Sequence, residues 1–529
     1  MYPPDFVSLT PDKPAVILTG GPGGEDRVQT YRELAEGAAR LARLLVDTGL
    51  RPGDCLAILA ENHLRYFEVV WAGLNCGLYI TPINSHLTAP EIAHLVNDSG
   101  ARALISTRKL AAVAEEVVPD TPHVLLRLLL DGTSAHYAEL DAAAAGYPAG
   151  PRDDEVRGSF MLYSSGTTGR PKGIRFPLPD TPASAGDVQL LNGTARMFGL
   201  GADSVYLSPA PLYHAAPLRV SAVLHSVGGT VVVLPRFDAE EALRAIERYR
   251  VGAAQWVPTM FVRMLKLPPE ARGRYDLSSM RVAVHAAAPC PVDVKRRMIE
   301  WWGPILYEYY SGSENFGSTG LSSEEWLAHP GSVGRPQGGV LHICADDGTE
   351  LAAGETGTVY FESRGAGFSY HRDPARTKAV SHPVHPGWRT LGDVGHVDTD
   401  GYLYLSDRKD FTIIAGGVNI YPREIEDVLV MHDEVVDVAV FGVPHPELGE
   451  QVKAVVQPVD LADAGEALAA RLLDHCRDQL APFKWPRSID FVPELPRLDN
   501  GKLYKKPLRD AYWAAASTAE PSTAEPSTA

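Results

Sequence analysis

The sequence predicts an α/β protein: a large N-terminal domain of parallel-rich β/α subdomains plus a small β subdomain, followed by a small α+β C-terminal domain. Three observations predict it. Residues 31–106 alternate helix-type and strand-type patterns, which is how parallel sheet with helices on its faces is written. Between Gly331 and Tyr404 short β-like runs alternate with glycine turns. The chain has 529 residues, more than one core usually holds, so two or more domains are expected.

The elements follow in order. Residues 31–48 put Leu34, Ala38, Leu41, Leu44 and Leu45 on one face, an amphipathic helix that Gly49 and Pro52-Gly53-Asp54 end. Cys55–Leu59 reads as a buried strand. Helix Tyr66–Leu74, strand Tyr79–Pro82, helix Ala89–Asn97 and strand Ala103–Ser106 continue the alternation. Residues 108–150 are alanine-rich and carry no clear period. Strands are expected at Ser204–Ser208, Val231–Leu234, Ala253–Val257 and Val282–His285, with a helix at Ala239–Tyr249.

Leu341–Cys344, Gly357–Glu362 and Tyr402–Leu405 are the β-like runs of the small subdomain. Helix Ile425–Met431, strands Val435–Phe441 and Gln451–Gln457 and helix Ala467–Leu480 make the C-terminal domain, which at about a hundred residues is large enough to stand alone. The expected divisions are 1–407, a boundary at Arg408–Asp410, 411–515, and a tail 516–529 whose STAEPSTAEPSTA repeat lacks core-forming residues and is expected to be disordered.

Composition narrows the function. A formal net charge of −17 argues against a general nucleic-acid binder. Five scattered cysteines at 55, 76, 290, 344 and 476 form no C-x-x-C pair, so neither a zinc site nor a disulfide framework is indicated. The N-terminus lacks the basic and apolar regions of a signal peptide, and no uncharged apolar run reaches membrane-spanning length. A cytoplasmic protein with no nucleic-acid or membrane partner, monomer or homodimer, is the expectation. Abundant Ala, Gly, Arg and Pro points to a GC-rich, bacterial source. His382 and His385 have H-x-x-H spacing, but Pro383 and Pro386 break the helix a metal pair would need.

The densest chemistry lies in Tyr163-Ser164-Ser165-Gly166-Thr167-Thr168-Gly169-Arg170-Pro171-Lys172-Gly173. Glycine and proline punctuate it too often for a helix or strand interior. It reads as a loop whose backbone N–H groups, hydroxyls and one ammonium face an anion. The order Gly-Thr-Thr-Gly-Arg-Pro-Lys-Gly is not the G-x-x-x-x-G-K-[ST] of a Walker A loop.

This stretch resembles the phosphate loop of the adenylate-forming superfamily, which holds acyl-CoA synthetases, luciferase and peptide-synthetase adenylation domains. The resemblance runs from about Tyr31 to Arg509. It implies that Ser164, Ser165, Gly166, Thr167, Thr168, Gly169 and Lys172 grip the phosphates of ATP. Tyr309-Tyr310-Ser311-Gly312-Ser313-Glu314 resembles the family's Y-x-x-T-E. It implies Tyr310 and Ser313 at the nucleotide and Glu314 as the Mg²⁺ ligand, a role for which one carboxylate beside phosphate oxygens is enough. Ser313 stands where Thr is usual.

Gly387-Trp388-Arg389-Thr390-Leu391-Gly392-Asp393 resembles the segment whose Asp accepts from both ribose hydroxyls, with Leu391 departing from the pattern. Asp407-Arg408-Lys409-Asp410 resembles the hinge. Arg408 is implied at the ribose and Asp410 as the pivot of a mobile C-terminal domain, while Phe411 replaces an acidic residue. The Pro496–Lys502 stretch implies Lys502 as the cation beside the α-phosphate during carboxylate attack. Pro211-Leu212-Tyr213-His214 resembles the pair that abuts the acyl carboxylate. Gly416-Gly417-Val418-Asn419 resembles the segment that lines the path of CoA pantetheine, where glycines suit close passage by a thin chain.

The implied function is an AMP-forming acyl-CoA ligase taking ATP, Mg²⁺, coenzyme A and a small-molecule carboxylic acid. The alternatives are a ligase that only thioesterifies a supplied acyl-AMP, an adenylation enzyme loading a carrier protein, and a catalytically dead relative. No acidic residue follows Tyr213-His214 until Asp238, which weakens an amino-acid substrate. Ala286, Ala287, Ala288 and Gly312, with Tyr213, mark the expected acyl pocket, and Arg219 its rim. Small side chains there leave volume, and the resemblance to steroid and bile-acid ligases implies a bulky terpenoid- or steroid-like acid, with a linear fatty acid as runner-up.

Overall fold

The structure, a computed structural model, describes residues 3–21, 24–164, 171–178, 194–362, 367–408, 411–416, 418–497 and 503–518. The chain forms two compact units. The first comprises residues 1–286, 299–316 and 364–379; the second comprises 287–298, 317–363 and 380–529. No helix among the described residues is long and apolar enough to cross a membrane.

The first unit carries two parallel-rich sheets. One runs Ala138–Glu139, Leu126–Leu129, Ala101–Ser106, Cys55–Leu59, Tyr79–Ile83, Ser159–Phe160, all parallel. The other places Arg27–Thr30, Pro14–Leu18, Thr230–Val233, Val205–Ser208, Ala253–Trp256, Val282–His285 and Leu306–Ser311 side by side. Only its Arg27–Thr30 edge is antiparallel within this unit. Continuous burial along Cys55–Leu59 and Thr230–Val233 is what a sheet covered on both faces requires. The Tyr31–Asp47 helix starts at a reciprocal cap. Thr30 Oγ1 accepts from the Glu33 N–H at 3.2 Å, and Glu33 Oε2 accepts from the Thr30 N–H at 2.7 Å.

A third, three-stranded sheet joins Ser369–Tyr370, Lys172–Arg175 and Leu162–Ser164. It positions the candidate site.

The second unit holds the antiparallel Ser318–Ser322 and Arg335–Pro336 pair. An antiparallel sheet of Val340–Cys344, Gly357–Glu362, Asp393–Val397 and Leu403–Arg408 follows, with Trp388–Arg389 on its side. A further sheet is built on the long Val435–His445/Gly449–Pro458 hairpin, with Ile413–Ala415, Val418–Ile420 and the parallel Ser488–Phe491. Leu403–Arg408 is the last strand of one sheet and Ile413–Ala415 opens the next; of the expected boundary, Lys409 and Asp410 lie outside the described residues.

Several expectations are corrected. The unreadable 108–150 segment holds the Ala111–Glu116 helix and the Leu126–Leu129 strand, both too short to show a period. The helix expected at Ile425–Met431 is Pro422–Leu429, started by a proline at its first turn. The hairpin strands run longer than expected. Ser488–Phe491 and the Lys505–Thr518 helix were not anticipated, and that helix enters the expected tail before the described residues end.

Candidate active site

The loop-forming stretch is closed by a hairpin. Leu162–Ser164 and Lys172–Arg175 pair antiparallel, with Ser164 opposite Lys172, Tyr163 opposite Gly173 and Leu162 opposite Ile174. Residues Ser165, Gly166, Thr167, Thr168 and Gly169 lie outside the described residues. The hairpin is braced from the Ala89–Ser99 helix: Tyr163 Oη donates to Asp98 Oδ2 at 2.6 Å, and His371 Nε2 donates to the Asp98 carbonyl at 3.0 Å. Burial, and then the Asp98 carboxylate, push the Tyr163 phenol up, so it stays a donor. A Cβ on Gly173 would lie 3.1 Å from both His371 Cβ and Tyr163 Cζ, so glycine suits this crossing.

Two partners of the loop are invisible in sequence. Lys172 Nζ lies 3.6 Å from Asp373 Oδ2, a half-exposed pair. Asp373 is itself fixed, accepting from the Arg376 N–H at 2.8 Å. Tyr370 pairs with Ile174 in register and donates its hydroxyl to Glu314 Oε1 at 2.8 Å. Burial and the Glu314 charge raise the Tyr370 phenol well above its ordinary value. Phe368 packs on Tyr370 and Phe316, with centroids 5.2 and 4.5 Å apart, and stiffens the strand.

Glu314 follows the Leu306–Ser311 strand through a turn in which the Asn315 N–H donates to the Gly312 carbonyl at 3.1 Å. Its Oε1 is held by Tyr370, and among the described residues no donor reaches Oε2. A half-buried carboxylate with one oxygen held and the other open fits a Mg²⁺ ion that draws its other ligands from phosphate and water. Tyr310 and Ser313 are half-buried on the same strand and turn.

The Tyr213 and His214 ring centroids lie 4.5 Å apart with their planes tilted by 57°, and His214 stands at the N-cap position of the Ala215–Ser226 helix. Ala286 is buried at the end of Val282–His285. Ala287 holds φ +73°, a left-handed backbone that a non-glycine residue rarely adopts, and one often found at functional turns.

In the second unit Asp393 is buried at the head of its strand, opposite Arg408 in the backbone register. The turn before it uses Gly392 at φ +85°, whose N–H donates to Thr390 Oγ1 at 2.9 Å. Gly416 sits at φ +57°, its N–H donating to the Leu448 carbonyl at 2.8 Å. Phe411 lies beneath two cations, Lys505 Nζ at 5.8 Å and Arg509 Cζ at 5.5 Å from its ring centroid. His382 uses both ring nitrogens within the fold. Nε2 faces the Gly348 carbonyl at 3.0 Å, and Nδ1 accepts from the Val384 and His385 N–H groups. Asp410, Gly417 and Lys502 lie outside the described residues.

Residues 5–371 match the AMP-binding enzyme family, and residues 424–502 match the AMP-binding enzyme C-terminal domain. The chain is 35% identical over 483 residues to a feruloyl-CoA synthase of an Amycolatopsis species, covering 91% of this chain and 93% of that protein. It is 30% identical over 490 residues to the long-chain-fatty-acid–CoA ligase FadD13 of Mycobacterium tuberculosis, covering 92% and 93%. Among solved structures, the o-succinylbenzoate CoA synthetase (MenE) of Bacillus subtilis in complex with its acyl-adenylate intermediate superposes with a TM-score of 0.76. It is 26% identical, with 96% of this chain and 97% of that one covered.

Proposed function

The chain belongs to the AMP-binding enzyme family, and on that premise we propose that it joins a bulky ring-bearing carboxylic acid to coenzyme A through an acyl-adenylate. It is an AMP-forming acid–thiol ligase of the acyl-CoA synthetase kind. The observation that carries the reading is the link between Glu314 and the strand of Lys172. The two residues are far apart in sequence, yet Glu314 is held by Tyr370, on the strand that pairs with the Lys172 strand.

In this reading ATP supplies the adenylyl group, with pyrophosphate as the leaving group, Mg²⁺ the charge neutralisation and CoA the thiol. The Ser164–Lys172 loop would bind and orient the phosphates, and Glu314 would hold the metal. His214 and Tyr213 would lie beside the entering carboxylate. Asp393 clamps the ribose with Arg408. Lys502 places a positive charge where negative charge develops on the α-phosphate. Gly416 and Gly417 leave passage for the pantetheine arm, and the C-terminal domain turns about Asp410 between the two half-reactions.

The sequence points to a terpenoid- or steroid-like acid, and the named relatives act on feruloyl, succinylbenzoate and long-chain acyl groups. What they share is a carboxylate on a large carbon frame. ATP–pyrophosphate exchange across polycyclic, aryl, octanoic and acetic acids, followed by CoA addition, tests the proposal. The expected result is exchange with a ring acid and CoA-dependent release of AMP. Preference for acetate overturns the bulky-acid reading. Release to a carrier protein but not to CoA overturns the ligase reading, and CoA thioester only from supplied acyl-AMP overturns the adenylation step.

A further inference from the structure

The helix that begins at His214 covers one face of the main sheet of the first unit, and that face is not apolar. Tyr206 stands level with Ala253, so Ser208 stands level with Gln255, which is in register with Val284 and Tyr307. By the two-residue period of a strand, Tyr206, Ser208, Gln255 and Tyr309 therefore share one face. Leu218, Ala222, Val223 and Leu224 of the Ala215–Ser226 helix pack in one cluster with Tyr206 and Ala253, so the helix lies on this same face.

Three buried groups here lack a partner among the described residues. Tyr206 Oη, Ser208 Oγ and Gln255 Oε1 make no hydrogen bond, on side chains 2%, 0% and 8% exposed. Gln255 Nε2 donates to Tyr309 Oη at 2.8 Å. Arg219, on the covering helix, interacts electrostatically with the Tyr309 phenol. It is half-buried, and among the described residues no carboxylate pairs with it. Burial pulls its guanidinium below the ordinary value, and Tyr309 offsets part of that. Tyr309 is also the electrostatic neighbour of Tyr206.

A half-buried guanidinium with no carboxylate beside it among the described residues, and three orphaned polar atoms, are costly in a core and normal in a binding site. Ser208, Gln255 and Tyr309 sit toward the carboxyl ends of parallel strands, where open α/β sheets bind ligands. Ala286, two residues after Val284 and on the same face, continues the wall to the expected acyl pocket.

We propose that this wall recognises an oxygen-bearing group on the end of the acid remote from its reacting carboxylate. A hydroxyl uses both Arg219 and Gln255, accepting from the guanidinium and donating to Gln255 Oε1. A keto, ether or second carboxylate oxygen uses Arg219 alone. The inference rests on the acyl-CoA ligase reading and narrows its substrate to oxygenated ring acids. A site built to hydrogen-bond an oxygen rejects the analogue lacking it far more strongly than an apolar pocket rejects an extra one.

The experiment has two arms. Adenylate formation is measured on matched acids: 4-hydroxycinnamate against cinnamate, cholate against 5β-cholanate, and 4-carboxycinnamate as the anionic probe. In the wild type the oxygenated member of at least one pair leads by about tenfold or more in kcat/KM. In Arg219→Met and Gln255→Leu that ratio falls toward one. A ratio near one in every wild-type pair, or one unchanged by both substitutions, overturns the wall while leaving the ligase reading standing.

The second arm needs no turnover. Among the described residues Arg219 pairs with no carboxylate in the ligand-free protein, so Arg219→Met unfolds at the wild-type temperature or above it, whereas Gln255→Leu also removes the bond to Tyr309 and is read by the activity ratio alone. A clear fall in the Tm of Arg219→Met, or its failure to fold, shows that the arginine serves the core and overturns the proposal even if no acid in the panel is activated. Absence of exchange with all acids, with Tm held or raised, counts against the ligase reading alone and supports the wall as a ligand surface.

Discussion

The Tyr370 hydroxyl lies 2.8 Å from Glu314 Oε1, and this bond ties the carboxylate to the small sheet that carries the phosphate-loop hairpin. Tyr370→Phe removes the donor and keeps the ring against Phe368. Glu314 then samples more than one orientation. The expected cost is about 1 kcal/mol of stability and about a tenfold rise in the Mg²⁺ concentration that half-saturates adenylate formation. A fall in kcat with unchanged Mg²⁺ dependence would show that Tyr370 acts elsewhere.

Lys502→Ala is expected to abolish pyrophosphate exchange and largely spare thioester formation from supplied acyl-AMP, because the lysine is assigned to the first half-reaction only. A bulky residue at Gly417 is expected to do the reverse by obstructing the pantetheine path. Equal loss of both half-reactions in either variant would refute the division of labour.

Gly37 lies where the Tyr31–Asp47 helix crosses Glu68. A Cβ there would meet Glu68 Cδ at 2.4 Å. Glu68 is 2% exposed and held by Arg65 at 2.7 and 2.9 Å and by Gln29 at 3.1 Å. Gly37→Ala therefore displaces a buried, paired carboxylate, and a loss of roughly 3 kcal/mol is expected in urea unfolding. A surface glycine with open space, such as Gly146, is the control.

His225 gives the fold a pH dependence. It is wholly buried, accepts from Trp71 Nε1 at 3.3 Å and donates to the Ala15 carbonyl at 3.2 Å. Burial pulls its pKa from 6.5 to about 4. The unfolded chain therefore takes the proton first as pH falls, so stability is full above pH 6.5 and declines toward pH 4, by about 3 kcal/mol in all. Urea midpoints at pH 7 and 5 are expected to differ in the wild type and to converge in His225→Gln. An undiminished difference in the variant would assign the effect to other groups.

The alternating half of the fold was legible because each element carries its own period. Strand Cys55–Leu59, helix Tyr66–Leu74 and helix Ala239–Tyr249 appear where their patterns end. Short elements without a period, such as Ala111–Glu116, were not. At the site, sequence named Lys172 and Glu314 but not Asp373 or Tyr370, which reach them only through strand pairing across long stretches of chain. Arg219, expected at the rim, is half-buried; its interaction with Tyr309 depends on which helix face meets the sheet, and a weakly amphipathic helix does not announce that.

The Ser164–Lys172 pairing also governs how the loop between them can vary. Seven residues, 165–171, span a gap fixed at both ends by ladder partners. Sequence change within the gap leaves the frame untouched. The ladder on either side, with Lys172 beside Asp373 and Gly173 at its crossing, keeps its register whatever the gap contains. The frame is thus set by the hairpin and not by the loop, so changes in the loop are expected to alter what is bound while the sheet stays folded.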